Sequence, residues 1–380
     1  MRKVTYTESF KSLVLMVVFI CVIYILITTK RDFIRTKNGL IATNLKSTLS
    51  KGVQSNESYN NMSDVKIILL WTTYYGRDSY LTPPFEPCEY KFVHTNDRSY
   101  LPNASLVVFH VGETKAADLP LNSSVPKVYL AIESAVHAIF YRGSPPADFY
   151  NYSITYRDDS DVTLIYDPPR TEYSRKTDKE IEKIIAKKTE FALSARSNCR
   201  TPSKRERLIE QLQSYVNLTL VGGCSKVDCD NTCLDKLIEN HYFYLSFENS
   251  ICDQYTTEKF FRFTKFIVPI VLKRSVVPKR IPHDIFIAVD DFNNVIELVN
   301  YLKMLVRTPK EYKKYFEWAK HDPLTDTYSK KVLDAACTSC KLAHELPPKQ
   351  IPDYSKILDR DLCDNDFLNR FLNTTSSSAI

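Results

Sequence analysis

The stretch Tyr244-Leu-Ser-Phe-Glu-Asn-Ser-Ile-Cys-Asp-Gln-Tyr-Thr-Thr-Glu-Lys-Phe-Phe-Arg262 passes from a buried strand into a run that reads as helix. Tyr242 to Phe247 is aromatic and apolar enough for an interior strand, Glu248-Asn-Ser breaks it, and Thr257-Glu258-Lys259 opens the helical run. Asn249, Tyr255, Glu258 and Lys259 then gather at the carboxyl end of a strand. Open α/β sheets bind ligands there, and a helix N-terminus at that point favours an anion. The junction is therefore expected to hold a phosphorylated ligand. An ordinary N-capped helix with a surface Glu and Lys would leave the same local pattern.

Outward from this junction, short apolar runs alternate with amphipathic ones. Val65-Lys-Ile-Ile-Leu-Leu-Trp71 is an apolar run of the buried parallel-strand type. Further strands are predicted at Lys91 to Val93, Leu106 to Phe109, Val128 to Ile132, Val162 to Tyr166, Glu190 to Ser194, Leu218 to Val221, Pro269 to Leu272 and Phe286 to Val289. Helices are predicted at Asp178 to Lys188, Lys204 to Tyr215, Asn293 to Leu305 and Lys310 to Lys320. This alternation predicts an α/β architecture. A chain of 380 residues exceeds what one core organises, so two folded domains are expected.

The formal net charge of +6 is spread along the chain, and no aromatic-basic RNA-reading motif occurs, which argues against a nucleic-acid partner and suits an anionic substrate. Between Lys11 and Lys30 lie 18 uncharged residues, Ser12 to Thr29, with Leu13 to Ile27 apolar or aromatic throughout. That is near the lower limit for crossing hydrocarbon, and no small-residue cleavage pattern follows it. The expectation is a single uncleaved N-terminal transmembrane helix over 12–29, after a cytoplasmic tail of 1–11 and before a polar stem of 30–64. Glycosylation sequons at Asn56, Asn61, Asn103, Asn122, Asn151, Asn217 and Asn373 all follow this segment, as do nine of the ten cysteines. Together they predict a lumenal, oxidising compartment in which the thiols pair as disulfides and an odd one is left over. Cys224, Cys229 and Cys233, or Cys337-Thr-Ser-Cys340, have spacings that could serve zinc, but no companion histidine pattern accompanies them. A short anchor fits the thinner membranes of the early secretory pathway.

Four blocks of the chain resemble the α1,3-fucosyltransferases, glycosyltransferase family 10. Phe247-Glu-Asn-Ser250 followed by Tyr255-Thr-Thr-Glu-Lys259 resembles that family's donor-sugar motif. Asn151-Tyr-Ser-Ile-Thr-Tyr-Arg-Asp-Asp-Ser-Asp161 resembles its N-[WY]-[ST]-x-x-Y-R-x-D-S-D segment, and Val128-Tyr-Leu-Ala-Ile-Glu-Ser-Ala-Val-His137 its apolar strand ending in E-S-P-x-H. Ser197-Asn-Cys199 with Arg205 resembles its S-N-C block and the arginine six residues beyond. Three departures are visible: Ala135 replaces the proline of E-S-P, Ile165-Tyr166-Asp167 stands where the family has P-Y-G, and Arg262 to Lys273 is shorter than the family's run to V-P-V-V-L-G and ends in Lys. The resemblance implies the GT-B arrangement, two Rossmann-like domains facing a cleft, in a Golgi type II membrane enzyme with a lumenal body. It places an acceptor-side domain at 65–185 and a GDP-fucose-binding domain at 186–325, with 326–380 a disulfide-tied tail that frays after about Arg370.

The same resemblance assigns chemical roles. Fucosyl transfer from GDP-fucose to N-acetylglucosamine of a glycoprotein glycan needs a base for the acceptor hydroxyl, and Glu133, at the end of an apolar strand where burial can raise its pKa, is that candidate. Arg205 and Lys259 suit the diphosphate, Glu258 the positive charge developing on the sugar, and Asn249 and Tyr255 the ribose or fucose hydroxyls. His137 is expected to support the acceptor side, and Tyr156 and Arg157 to brace the cleft or reach the phosphates. Asp159-Ser160-Asp161 belongs to a fold element, so no metal ligand is assigned; no cofactor is expected to be obligatory, with manganese at most stimulatory. Asp290-Asp291-Phe292 is read as the family's turn that caps a helix start. The alternative is a catalytically silent relative that binds glycans or serves as a Golgi scaffold.

Overall fold

The computed structural model describes residues 65–77, 92–138, 145–164, 166, 175–321, 337, 339–344, 349–357 and 359–374. The anticipated membrane span and stem, Asn56, Asn61 and Cys88 lie outside them. Among the described residues no helix is long and apolar enough to cross a membrane.

Two all-parallel sheets organise the chain. The first has six strands in the order β2-β1-β3-β4-β5-β6: β1 Lys66–Leu70, β2 Phe92–Thr95, β3 Leu106–His110, β4 Lys127–Ala131, β5 Tyr152–Thr155 and β6 Val162–Thr163. The second has five in the order β11-β10-β9-β7-β8: β7 Glu190–Ala195, β8 Leu218–Val221, β9 His241–Leu245, β10 Val268–Val271 and β11 Ile287–Ala288. Both are Rossmann-like. Their central strands are covered on both faces, which is why they read as apolar runs and not as alternating ones. In β3, Leu106 and Val108 face one core with Val128, Ile154 and Leu342, while Val107 and Phe109 face another with Tyr129, Tyr150 and Tyr255.

The helices start where local chemistry allows. Thr177 and Glu180 form a reciprocal capping box for Asp178–Ile185. Asp230 accepts from Cys233 N to open Asn231–Asn240, a helix the cysteine-rich sequence did not predict. Asn294, not the aspartate pair, caps Val295–Arg307 by accepting from Glu297 N. This corrects the reading of Asp290 and Asp291 as caps: Asp290 accepts from Arg274 N at 2.8 Å and Asp291 takes the Arg274 guanidinium. The predicted helix at Lys310 to Lys320 breaks into Pro309–Lys313, a 3-10 turn and Trp318–His321.

The C-terminal region returns over both sheets. Cys340 and Leu342 are buried against the first sheet. Leu368, Phe371 and Leu372 are buried in the core of the second, on the helix Phe367–Thr374. The chain is thus ordered past Arg370, because apolar side chains one turn apart have a core to enter. Cys252–Cys363, Cys199–Cys224 and Cys229–Cys233 are disulfides, and Cys337 is also disulfide-bonded.

Candidate active site

The segment after β9 does not simply cap the second sheet. Ile251, at 2% exposure, packs in the second sheet's core, while Cys252 and Tyr255, each 1% exposed, pack in the first sheet's. The crossing is sewn down by Ser134 Oγ, which donates to Ser250 Oγ at 3.0 Å, and by Asp158 N, which donates to Gln254 Oε1 at 2.9 Å.

Glu133 stands just past β4, half-buried, in a ring of tyrosines. Tyr255 donates its hydroxyl to Glu133 Oε2 at 2.9 Å, and Tyr75 approaches Oε1 at 3.4 Å. Burial, reinforced by this carboxylate, pushes the Tyr74 hydroxyl up to about 12. Burial raises Tyr255 and Tyr166 well above the ordinary phenol range, so both remain donors at neutral pH. Tyr166 donates to Ile132 O at 2.7 Å and fixes the strand end that presents Glu133. Tyr75 sits at φ 49° in the turn Tyr74–Arg77 and is 53% exposed. Its position is set by Glu113, which accepts from Gly76 N at 3.1 Å and from the Thr73 hydroxyl.

On the second sheet the loop from β7 to the helix Arg205–Gln213 lies over the end of β9: Ser203 N donates to Asn249 O at 2.9 Å, and Ser203 Oγ to Glu248 O at 2.7 Å. Arg205 is 3% exposed and donates to the carbonyls of Phe247 and Asn198. Burial lowers its proton affinity, with nearby Glu248 opposing the shift. Its Nε and the Asn249 side-chain oxygen are buried without hydrogen-bond partners among the described residues.

Lys259 is held from below. Its ammonium donates to Glu248 Oε2 at 3.0 Å and to Thr257 Oγ1 at 2.7 Å, and Glu258 Oε1 lies 3.2 Å away. Glu248 is 3% exposed and its other oxygen accepts from Thr257 N at 2.9 Å. The anticipated anion site at this helix N-terminus is therefore corrected: the helix is only Glu258–Phe261, too short for a useful dipole, and a protein carboxylate already takes its first amide. Positive charge comes from side chains instead. Burial disfavours the Lys259 ammonium, but Glu248 and Glu258 outweigh it and raise the pKa. The Glu258 side chain is 46% exposed; burial works upward on its carboxyl, but Lys259, Thr257 and Arg262 lower it overall.

Of the supporting residues, Arg157 forms a two-pronged pair with Asp159 at 2.8 and 2.7 Å and reaches Asp253 at 3.3 Å, which braces the crossing segment. Tyr156 is 2% exposed and its ring packs edge-on to Tyr255 at 5.1 Å. His137 is half-buried in the short helix Ala135–Ala138, and its backbone N donates to Ser134 O at 2.9 Å. Asp161 accepts from Ser153 N at 2.8 Å and pairs with Lys349, so the D-S-D block ties strand to strand. Among the sequons, Asn103, Asn122, Asn217 and Asn373 are exposed, whereas the Asn151 amide bridges Lys127 N and Lys349 O. Glu248, Tyr75 and Tyr166 are not singled out as site residues by the sequence; Glu248 and Tyr166 lie in or beside the motif blocks, whereas no local signal marks Tyr75.

Comparisons with known proteins identify the family of the chain. A family model described as fucosyltransferase, N-terminal matches residues 63–167, and one described as glycosyltransferase family 10 (fucosyltransferase) C-term matches 185–358. Alpha-(1,3)-fucosyltransferase fut-1 of Caenorhabditis elegans is 31% identical over 323 residues, covering 79% of this chain and 71% of that protein. Alpha-(1,3)-fucosyltransferase C of Drosophila melanogaster is 28% identical over 376 residues, covering 88% and 84%. A solved alpha1,3-fucosyltransferase with GDP-fucose aligns at TM-score 0.48 and 19% identity over 78% of this chain and 96% of that one. With both halves of the chain matched and a relative 31% identical over 79% of it, the chain belongs to glycosyltransferase family 10 and is a fucosyltransferase.

Proposed function

We propose that this fucosyltransferase moves fucose from GDP-fucose, with inversion at the anomeric carbon, onto an N-acetylglucosamine hydroxyl of a glycoprotein glycan in α1,3 linkage. The observation that carries the reading is the joining of the two sheets' motifs: Glu133, beyond the first sheet, accepts from Tyr255 of the donor motif. The two sheets then form the walls of a GT-B cleft, with acceptor on the first and nucleotide on the second. The acceptor oxygen attacks the anomeric carbon as its proton passes to Glu133, and the electron pair of the breaking carbon–oxygen bond leaves with the diphosphate. Lys259 and Arg205 offset the charge arriving there, and the Glu258 carboxylate faces the positive charge on the sugar. Asn249 hydrogen-bonds a donor hydroxyl, while Tyr255 orients the base.

No metal is proposed as obligatory, since Asp159 and Asp161 are already engaged by Arg157, Ser153 and Lys349; manganese would at most stimulate. We propose a type II Golgi membrane protein anchored by residues 12–29, its body lumenal, a location that the disulfides support. The test is transfer from labelled GDP-fucose by purified full-length protein to a panel of N-glycan and lactosamine acceptors, with Glu133→Gln alongside. Transfer that Glu133→Gln abolishes is expected. No transfer to any acceptor by folded protein would favour the silent-scaffold reading.

A further inference from the structure

In the second sheet the chain leaves its first strand, β7, toward β8 on one side and returns as β9 on the other, so the switch point is the crevice between β7 and β9. Ligands of open α/β sheets bind outside the carboxyl ends of the strands at such a point. The donor motif accounts for the residues after β9. The switch point presents those after β7 equally, and the first of them is Arg196.

Arg196 is half-buried; its Nε is buried without a hydrogen-bond partner, and its guanidinium has no carboxylate partner among the described residues. Its backbone is fixed, because Arg196 N donates to Val221 O at 3.1 Å and Arg196 O accepts from Cys224 N at 3.2 Å. The turn after β8 closes on it through Gly222, at φ +91°, where an added Cβ would stand 2.7 Å from Arg196 O. Arg205 donates to Asn198 O at 2.9 Å, two residues on from Arg196, and the Arg196 charge helps lower its proton affinity, so the two cations stand at the same end of the sheet. Two further buried atoms without partners, Arg205 Nε and Asn249 Oδ1, belong to the same end of the sheet. A partly desolvated guanidinium with no counter-ion is unfavourable. That is the state of Arg196; Arg205 has Glu248 nearby, but a second cation beside Arg196 adds to its cost unless an anion joins them.

Resting on the donor reading above, we propose that Arg196 is a second phosphate-binding guanidinium, gripping the diphosphate of the nucleotide donor together with Arg205. It donates hydrogen bonds to non-bridging oxygens and keeps its protons throughout; as the sugar–oxygen bond breaks, the charge delivered to the diphosphate is shared by two guanidiniums and Lys259.

The experiment measures GDP and guanosine binding to purified full-length wild type, Arg196→Gln and Arg196→Lys, GDP by calorimetry and guanosine by ligand-observed NMR. The expected result is GDP affinity at least tenfold weaker in Arg196→Gln, guanosine affinity within twofold of wild type, and partial recovery of GDP affinity in Arg196→Lys. Unchanged GDP affinity in Arg196→Gln overturns the inference and leaves the donor reading standing. Equal loss for both ligands assigns Arg196 a structural role and also overturns it. Failure of the wild type itself to bind GDP removes the donor reading, and this inference with it.

Discussion

Tyr255 and Glu133 are 122 positions apart in the chain, yet the tyrosine hydroxyl lies 2.9 Å from the carboxylate, with the ring 1% exposed. A buried phenol that cannot ionise near neutrality is a fixed donor, so it sets the direction of the carboxylate's remaining lone pairs. Tyr255→Phe removes one hydrogen bond to a charged group, worth about 1.5–3 kcal/mol, and should lower kcat roughly 10- to 100-fold. Steady-state rates at saturating donor and acceptor check this; a kcat equal to wild type would remove Tyr255 from the positioning of Glu133.

Glu248 lies beneath Lys259 and accepts from three groups: Thr257 N, Thr257 Oγ1 and Lys259 Nζ. Glu248→Ala leaves the buried Thr257 amide without its acceptor and takes from Lys259 the buried one of its two carboxylates. Breaking a buried pair from one side costs about 3–5 kcal/mol. Glu248→Gln keeps one acceptor oxygen and should cost less, while still raising the KM for the nucleotide sugar as Lys259 loosens. Urea midpoints and donor KM values for the two variants provide the check, and equal midpoints for wild type and Glu248→Ala would contradict it.

The sequence made the apolar parallel strands legible because such strands, covered on both faces, carry their signature locally. β5 was read as a motif and not as a strand: Tyr152-Ser-Ile-Thr155 is half polar, and its hydroxyls are tolerated inside because Ser153 bonds Asp161 and Thr155 bonds Ser160. The helix Asn231–Asn240 is absent from the sequence reading, in which Cys229 and Cys233 are weighed only as disulfide or zinc candidates; the Asp230 cap starts it. At the site, Glu133, Arg205, Glu258 and Lys259 were named from motif blocks. Glu248 and Arg196 were not: Glu248 sits inside the Phe-Glu-Asn-Ser block but reaches Lys259 only once the segment folds back on itself, and an arginine at a switch point is a product of strand order, which no local pattern encodes.

Lys188 gives stability a pH dependence independent of the site. It is 4% exposed and donates to His241 O at 2.8 Å and Ile238 O at 3.3 Å; burial pushes its ammonium down to about 7 from 10.5. Between those values the unfolded chain holds a proton that the folded chain has released, so stability should rise with pH across the window and be lowest at and below its lower end. The slope from one proton is at most about 1.4 kcal/mol per pH unit. Lys188→Met should flatten this component, as measured by urea unfolding from pH 7 upward. An identical pH profile in the variant would show that Lys188 keeps its ordinary affinity for protons.

Cys252–Cys363 closes a loop across 111 positions and anchors the segment that carries Tyr255 to the first sheet. Around it, Asp253 N donates to Leu362 O at 2.8 Å, Asp364 N to Ile251 O at 2.7 Å, and Ile251 N to Asn365 Oδ1 at 2.8 Å, so the C-terminal region forms the outer wall of the crossing. Removing a native disulfide costs about 2–5 kcal/mol. Cys363→Ser should therefore lower the unfolding free energy by that amount. It should also reduce transfer more than an equally destabilising core change, because the loosened segment sits three residues before the tyrosine that orients Glu133. Non-reducing denaturant curves, with reduced wild type as the reference, test the first part. Activity compared with Leu302→Ala, a core truncation in the helix Val295–Arg307, tests the second; equal losses in the two variants would make the disulfide a stability element alone.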